Sequence, residues 1–115
     1  MSLTIHHETL AWPEAVLVAS DRVSAGSPAT STYVLNGSDS TEAGLWKVTP
    51  GEFLTDHVGY VEVIYVLQGK GHLIPEAGDT INLTAGTAVV LEDGWRGRWH
   101  VEETLTKLYA ITRTN

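Results

Sequence analysis

The sequence predicts an all-β fold, an antiparallel sandwich or barrel of about nine short strands. Helical periodicity is almost absent from its 115 residues. Short runs rich in Val, Ile, Leu, Tyr and Thr alternate with clusters of turn residues, which return about every eight to twelve positions. The length suits one compact domain with one hydrophobic core.

The predicted strands follow one another along the chain with turn residues between them. Val61 to Leu67 is the strongest prediction, because VEVIYVL alternates and carries β-branched and aromatic residues. Gly71 to Ile74 and Thr80 to Leu83 flank a turn at 75–79 and predict a hairpin. Residues 24–28, SAGSP, predict a loop. Further strands are predicted at Val16 to Ala19, Thr32 to Leu35, Gly44 to Thr49, Thr87 to Leu91, Gly97 to Val101 and Lys107 to Thr112.

The density of predicted strands divides the chain into residues 1–40 and residues 41–115. The first part has the fewest strands, so we expect an arm and first strands that pack on the barrel or on a partner subunit. Residues 41–115 are expected to form the barrel itself.

Composition and charge exclude several classes of protein. A net charge of −7 has the wrong sign for a nucleic-acid-binding protein. No apolar run approaches the ~18 residues needed to cross a bilayer, so we expect no membrane partner. The N-terminus does not resemble a signal peptide, and a cytoplasmic location is the default expectation. The absence of cysteine excludes disulfides and thiolate chemistry.

One stretch of the sequence carries glycines, a histidine and a glutamate at a spacing that resembles the first signature of cupin barrels. The residues in register with this signature are Gly51, His57, Glu62 and Gly69. Metal-binding cupins have a second histidine at the position of Gly59 and a last histidine at the position of Gly97. A divalent metal site usually needs three or four convergent ligands. We therefore expect a cupin barrel without a bound metal or other cofactor.

From about Ala25 to the C-terminus, the chain resembles the small single-barrel cupins related to ethanolamine-utilisation accessory proteins and ureidoglycine aminohydrolases. This resemblance implies a double-stranded β-helix, which is a jelly-roll barrel with an internal cavity, and often a homodimer. The residues that carry it are Gly44 to Gly51, Glu62, Tyr65 to Gly69, Gly94 to Trp99, Glu103 and Lys107 to Tyr109.

Three ionisable residues are candidates for chemistry. Glu62 shares the inward face of its strand with apolar residues, where a carboxylate is costly to bury without a partner. It marks either a working site or a structural ion pair with Lys107 or a backbone amide. Lys107 is either its counter-charge or an exposed surface lysine. His57 is either an acid or base near the barrel mouth or a solvated loop histidine.

Four aromatic residues are candidates for contacts with a ligand. Trp99 is either part of the core or a wall of the cavity, and its phase with Gly97 favours the cavity wall. An aromatic ring in the space left by a missing metal would make the pocket smaller and more apolar. Trp46 is either part of the core or a cavity wall. Tyr60 and Tyr109 either offer hydroxyl groups to a ligand or are core residues with satisfied hydroxyls.

Two functions of different classes fit these residues. The first is a small-molecule-binding cupin, metal-independent or nearly so, that holds a small polar or anionic metabolite as an accessory or sensor protein. The alternative is an enzyme that acts on a small nitrogen-containing or carboxylated compound, with Glu62 as general base and possible help from a divalent ion. In either case the apolar outer face of Val61 to Leu67 predicts a homodimer.

Overall fold

The computed structural model describes residues 2–114 and contains one nine-stranded sheet curled into a barrel. The predicted all-β jelly roll is confirmed. The strands are β1 (Val16–Leu17), β2 (Val23–Gly26), β3 (Ala29–Gly37), β4 (Thr41–Val48), β5 (Gly51–Asp56), β6 (Tyr60–Pro75), β7 (Ile81–Thr84), β8 (Ala88–Leu91) and β9 (Arg96–Arg113). A short 3-10 turn covers Ser20–Arg22. Within residues 2–114, no helix has the length and apolar character needed to cross a membrane.

Two long strands, β6 and β9, organise the barrel. They pair with each other along most of their length, from Tyr60 opposite Arg113 to Pro75 opposite Gly97. The two ends of β9 also pair with different neighbours, β5 at the start and β4 further along. β6 in turn pairs with β7 and β8. β6 and β9 therefore each contribute residues to both walls of the barrel.

The bend in β6 lies at irregularities in its register around Gln68 and Lys70. Gly69 has a φ of 99°, a left-handed conformation that favours glycine. A Cβ atom at Gly69 would also collide with the backbone of Thr104 and Leu105. The second glycine of the signature thus allows β6 and β9 to pack closely where the sheet turns.

The hydrophobic core fills the inside of the barrel, mainly with inward-facing residues of β6 and β9. Phe53 and Trp99 stack with nearly parallel rings at a centroid distance of 6.4 Å. Buried side chains of the core are Val18, Val48, Phe53, Ile64, Val66, Leu73, Leu83, Leu91, Trp99, Val101 and Leu105. The prediction that Glu62, Ile64 and Val66 face the inside of the barrel is confirmed, because all three are buried while Val63 and Tyr65 between them are exposed.

Four details of the strand prediction were wrong. β5 was not predicted, because GEFLTD has glycine and acidic residues at its ends and only Phe53 fully buried. The loop predicted at 24–28 begins within β2, which pairs with β5. Val61 to Leu67 and Gly71 to Ile74 form one strand, as do Gly97 to Val101 and Lys107 to Thr112. The separating glycines and acidic residues sit at bulges rather than at chain reversals.

Residues 2–40 contribute strands as well as an arm. β3 pairs with β4, and β1 adds to the edge of β3. Ahead of β1, the ring of Trp12 lies 4.9 Å from Nζ of Lys47. The arm therefore contacts β4 within the same chain.

Candidate functional site

A cavity of about 290 Å³ opens within the barrel, bounded mainly by β4, β5, β6 and β9. All seven residues singled out from the sequence line it, namely Trp46, His57, Tyr60, Glu62, Trp99, Lys107 and Tyr109. Six further lining residues were not predicted, namely Arg22, Thr32, Glu42, Thr55, Asp56 and Ile111. The phase of alternating strands thus brought together residues that are up to 63 positions apart, from 46 to 109.

A buried ion pair joins β6 to β9 in the cavity wall. Nζ of Lys107 donates to Oε2 of Glu62 at 2.7 Å. The two residues are only 5% and 4% exposed. The alternative of an exposed surface lysine is therefore wrong, and Lys107 is the counter-charge of Glu62. Two buried charges in contact satisfy each other, whereas either one alone would be strongly destabilising.

Three aromatic rings surround the Lys107 ammonium. Its Nζ lies 4.3 Å from the ring centroid of Trp46 and 4.7 Å from that of Trp99. The ring of Tyr109 is 5.9 Å away. Burial among these rings lowers the pKa of Lys107, and the neighbouring Glu62 carboxylate partly opposes that change. The faces of the rings attract the cation in its protonated form.

His57 lies in the turn between β5 and β6 and is only 4% exposed. The alternative of a solvated loop histidine is therefore wrong. Its backbone N–H donates to the Trp95 carbonyl at 2.8 Å, and its own carbonyl accepts from Gly94. The ring packs edge-on against Trp95 and at a tilt against Tyr60. These contacts fix the imidazole beside the cavity.

The imidazole of His57 faces the same carboxylate as Lys107. Its Nδ1 lies 3.4 Å from Oε1 of Glu62, at a geometry that does not form a hydrogen bond. Burial lowers the pKa of His57, the Glu62 charge raises it, and the Lys107 charge lowers it again. The net effect is a pKa of His57 below that of a free imidazole.

Two buried polar atoms of the cavity have no hydrogen-bond partner among the described residues. They are Nδ1 of His57 and Oγ1 of Thr55. Buried polar atoms in proteins are usually paired, and an unpaired one costs about 1–3 kcal/mol. Thr55 was missed because its strand, β5, was not predicted, so its inward phase could not be assigned. Both atoms line the same cavity.

Glu42 and Tyr109 form a second polar contact in the cavity wall. The Tyr109 hydroxyl donates to Oε2 of Glu42 at 2.6 Å. Burial and this carboxylate raise the pKa of Tyr109. Glu42 shares the phase of Trp46 on β4, but the predicted strand began at Gly44 and so left Glu42 out. The alternative that Tyr109 has a satisfied hydroxyl therefore holds.

The space beside Gly97 is filled by the side chain of Trp95. A Cβ atom at Gly97 would meet Cη2 of Trp95 at 2.8 Å and the Ile74 carbonyl oxygen at 2.6 Å. Trp95 therefore occupies this position, whereas Trp99 lines the cavity. Trp99 lies against Trp46, with ring centroids 5.1 Å apart.

The side chains of this cavity do not fit the metal ion that many cupins hold. Searched over residues 2–114, the structure contains no group of three or more His, Cys, Asp or Glu residues able to hold a metal ion. The Lys107 ammonium already occupies one oxygen of Glu62. His72 and His100 stack on each other elsewhere, beside Glu102 and Glu52, and do not line the cavity.

Solved structures of several cupins share this fold. EutQ from Clostridium difficile is 20% identical, with a TM-score of 0.67 over 85% of this chain and 80% of its own. A predicted oxalate decarboxylase from Thermotoga maritima is 17% identical, with a TM-score of 0.68 over 97% and 100%. Ectoine synthase from P. lautus is 15% identical, with a TM-score of 0.69 over 97% and 78%. These neighbours have diverse roles.

No curated protein matches the sequence. The model of the EutQ-like cupin domain matches residues 35–109, which include β4 to β8 and most of β9. This match covers well over half of the chain and includes the Glu62–Lys107 pair. The chain therefore belongs to the family of EutQ-like cupin domains.

Proposed function

We propose that this cupin binds a small anionic metabolite in its barrel cavity without a metal ion, as an accessory or sensor protein. The observation that carries the proposal is the pair of unpartnered polar atoms, Nδ1 of His57 and Oγ1 of Thr55, in the cavity wall. Both atoms are shielded from solvent in the wall, so a ligand whose hydrogen-bonding groups reach them would recover the cost of burying them. The cavity volume of about 290 Å³ suits a small metabolite.

The charges around the cavity favour an anion. Each of its three carboxylates already lies within ion-pair distance of a cation: Glu42 has Arg113, Asp56 has Arg96 and Glu62 has Lys107. Arg22 differs from them. Within the described part of the chain, its guanidinium donates to the Leu54 carbonyl and forms no ion pair.

The remaining donors of the Arg22 guanidinium are free for a carboxylate or a phosphate. Arginine presents its donors as a planar fork that matches both groups. The unpaired charge that faces the cavity is thus positive, although the whole chain is acidic.

The alternative is an enzyme acting on a small nitrogen-containing or carboxylated compound, with Glu62 as general base. The 3.4 Å approach of His57 Nδ1 to Glu62 Oε1 favours it, because a proton could pass between these atoms. Against it, the other Glu62 oxygen is already hydrogen-bonded to Lys107. Binding of an anion requires no change in this pair, so we prefer it.

The test is isothermal titration of a panel of small carboxylates and phosphates into the purified protein and two variants. Arg22→Gln removes the free guanidinium from the cavity, and Arg98→Gln is its matched control on the exposed face of β9. We expect at least one anion to bind, with affinity reduced about tenfold or more in Arg22→Gln alone. Equal loss in both variants, or no binding by any anion, would reject the proposal.

We also propose that the protein is a homodimer through the outer face of β6, β8 and β9. Val63 and Tyr65 are 46% and 45% exposed, and their cross-strand neighbours Val90 and Leu108 are exposed too. None of these four residues is charged, so together they form a continuous apolar patch. The same patch on a second copy of the chain would pack against it and exclude water from both.

A further inference from the structure

The three lysines of the sequence differ sharply in their surroundings. Lys70 is exposed and lies near Glu102, and Lys47 is half-buried beside Trp12. Lys107 is buried, yet it lines the wall of the cavity. Its amine is therefore shielded from bulk solvent but adjacent to the space that a ligand would occupy.

A lysine amine is a nucleophile only when it is neutral, and burial in an apolar pocket favours the neutral form. The burial of Lys107 supplies such surroundings, although the faces of Trp46 and Trp99, within 5 Å of its nitrogen, attract the charged form. Glu62 lies 2.7 Å away and can accept the ammonium proton. That transfer leaves an uncharged amine beside an uncharged carboxyl group, which the cavity accommodates more easily than it does two separated charges.

We propose that Lys107 forms an imine with a small carbonyl compound, and that the preferred ligand is a small aldehyde or ketone bearing a carboxylate. This inference rests on the proposed function, because it assumes that the cavity admits a small anion. Arg22 would hold the carboxylate, and the carbonyl group would face Lys107. A purely structural ion pair would not require the lysine to line a cavity.

The bonding changes balance without a further reactant. Lys107 transfers a proton to Glu62, and the amine nitrogen attacks the carbonyl carbon to form a C–N bond as the second bond of the carbonyl group breaks. A second proton passes from the nitrogen to the carbonyl oxygen, which becomes a hydroxyl group. The protonated Glu62 then gives its proton to the hydroxyl group, the nitrogen lone pair forms the C=N bond, and the C–O bond breaks to release water. The product is a protonated imine beside the Glu62 carboxylate, and hydrolysis by water reverses every step.

The experiment traps the imine in the full-length protein with glyoxylate and sodium cyanoborohydride, which delivers hydride to the imine carbon. Peptide mass spectrometry then measures carboxymethylation of each lysine over time. We expect Lys107 to be labelled at least tenfold faster than Lys47 and Lys70. Labelling of Lys107 at a rate equal to or below that of the two other lysines would overturn the inference.

Two controls separate this inference from the proposed function. In urea-unfolded protein the three lysines should be labelled at similar rates, which shows that every lysine peptide is detected. Propionaldehyde, which lacks the carboxylate, should label Lys107 more slowly than glyoxylate does. If carboxylates bind in the titration but Lys107 is not labelled preferentially, the imine is rejected and the binding function stands. If neither is observed, both are rejected.

Discussion

Lys107 and Glu62 are 45 residues apart in the sequence, yet the Lys107 ammonium lies 2.7 Å from the Glu62 carboxylate inside the barrel. The pair joins the two long strands β6 and β9. The contribution of this ion pair to the free energy of unfolding can be measured directly by mutation.

The first prediction concerns the stability of this pair. Lys107→Met and Glu62→Gln should each lower the free energy of unfolding by about 3–5 kcal/mol, because each leaves one buried ionisable group without its partner. The double variant Glu62→Gln/Lys107→Met should be less destabilised than the sum of the single variants. Urea denaturation in a double-mutant cycle measures the coupling.

The control for this cycle is the exposed pair of Lys70 and Glu102, whose atoms approach to 3.5 Å. Lys70→Met should change stability by no more than about 1 kcal/mol. Additive losses in the Glu62 and Lys107 cycle would show that the buried pair contributes no coupling and would contradict the account.

The second prediction concerns pH. The folded protein holds the pKa of His57 below the unfolded value of about 6.5, so the unfolded chain binds the proton first as pH falls. Above about pH 6.5, His57 makes its full contribution to the free energy of unfolding. Below that pH the contribution falls by up to about 1.4 kcal/mol per pH unit. His57→Gln should flatten the stability profile between pH 7 and pH 5. Parallel profiles for the two proteins would contradict this assignment.

The third prediction concerns the glycine at the position of the missing histidine. Gly97→Ala should destabilise the protein by about 1–3 kcal/mol, because the added Cβ meets the Ile74 carbonyl and the Trp95 ring. Gly37→Ala is the control, since a Cβ there has no neighbour closer than 3.8 Å. Thermal denaturation of the two variants makes the comparison. Equal melting temperatures would show that Trp95 does not fill this position tightly.

The fourth prediction concerns assembly. Light scattering at micromolar concentration should give twice the chain mass of 12.5 kDa. Tyr65→Lys places a charge in the apolar outer face and should give the monomer. Val58→Lys, in the exposed turn between β5 and β6, is the matched control and should remain dimeric. A monomeric parent protein would reject the proposed dimer.

Strand alternation was enough to predict the inward side chains of the site. Glu62 was placed by the regular pattern of VEVIYVL, and Lys107 and Tyr109 by their shared phase near the C-terminus. Arg22 and Thr55 could not be predicted in this way. Arg22 lies in a 3-10 turn outside any strand pattern, and Thr55 belongs to a strand whose glycine and acidic ends obscure it.

The side-chain contacts between neighbouring strands also could not be predicted from the sequence. Trp46 lies beside Lys107 only because β4 pairs with β9 in a register that sets these two residues opposite each other. A shift of one residue would turn the indole to the outer face.

The central claim is that the cavity binds a small anion without a metal ion, and one thermal-shift experiment tests it most directly. The purified protein is scanned against small carboxylates before and after treatment with EDTA. A ligand at about 100 times its Kd should add about 2.7 kcal/mol of stability. We expect the same ligand-dependent rise in melting temperature in both samples. Loss of that rise after EDTA treatment, with its return on adding one transition-metal ion per chain, would contradict the account.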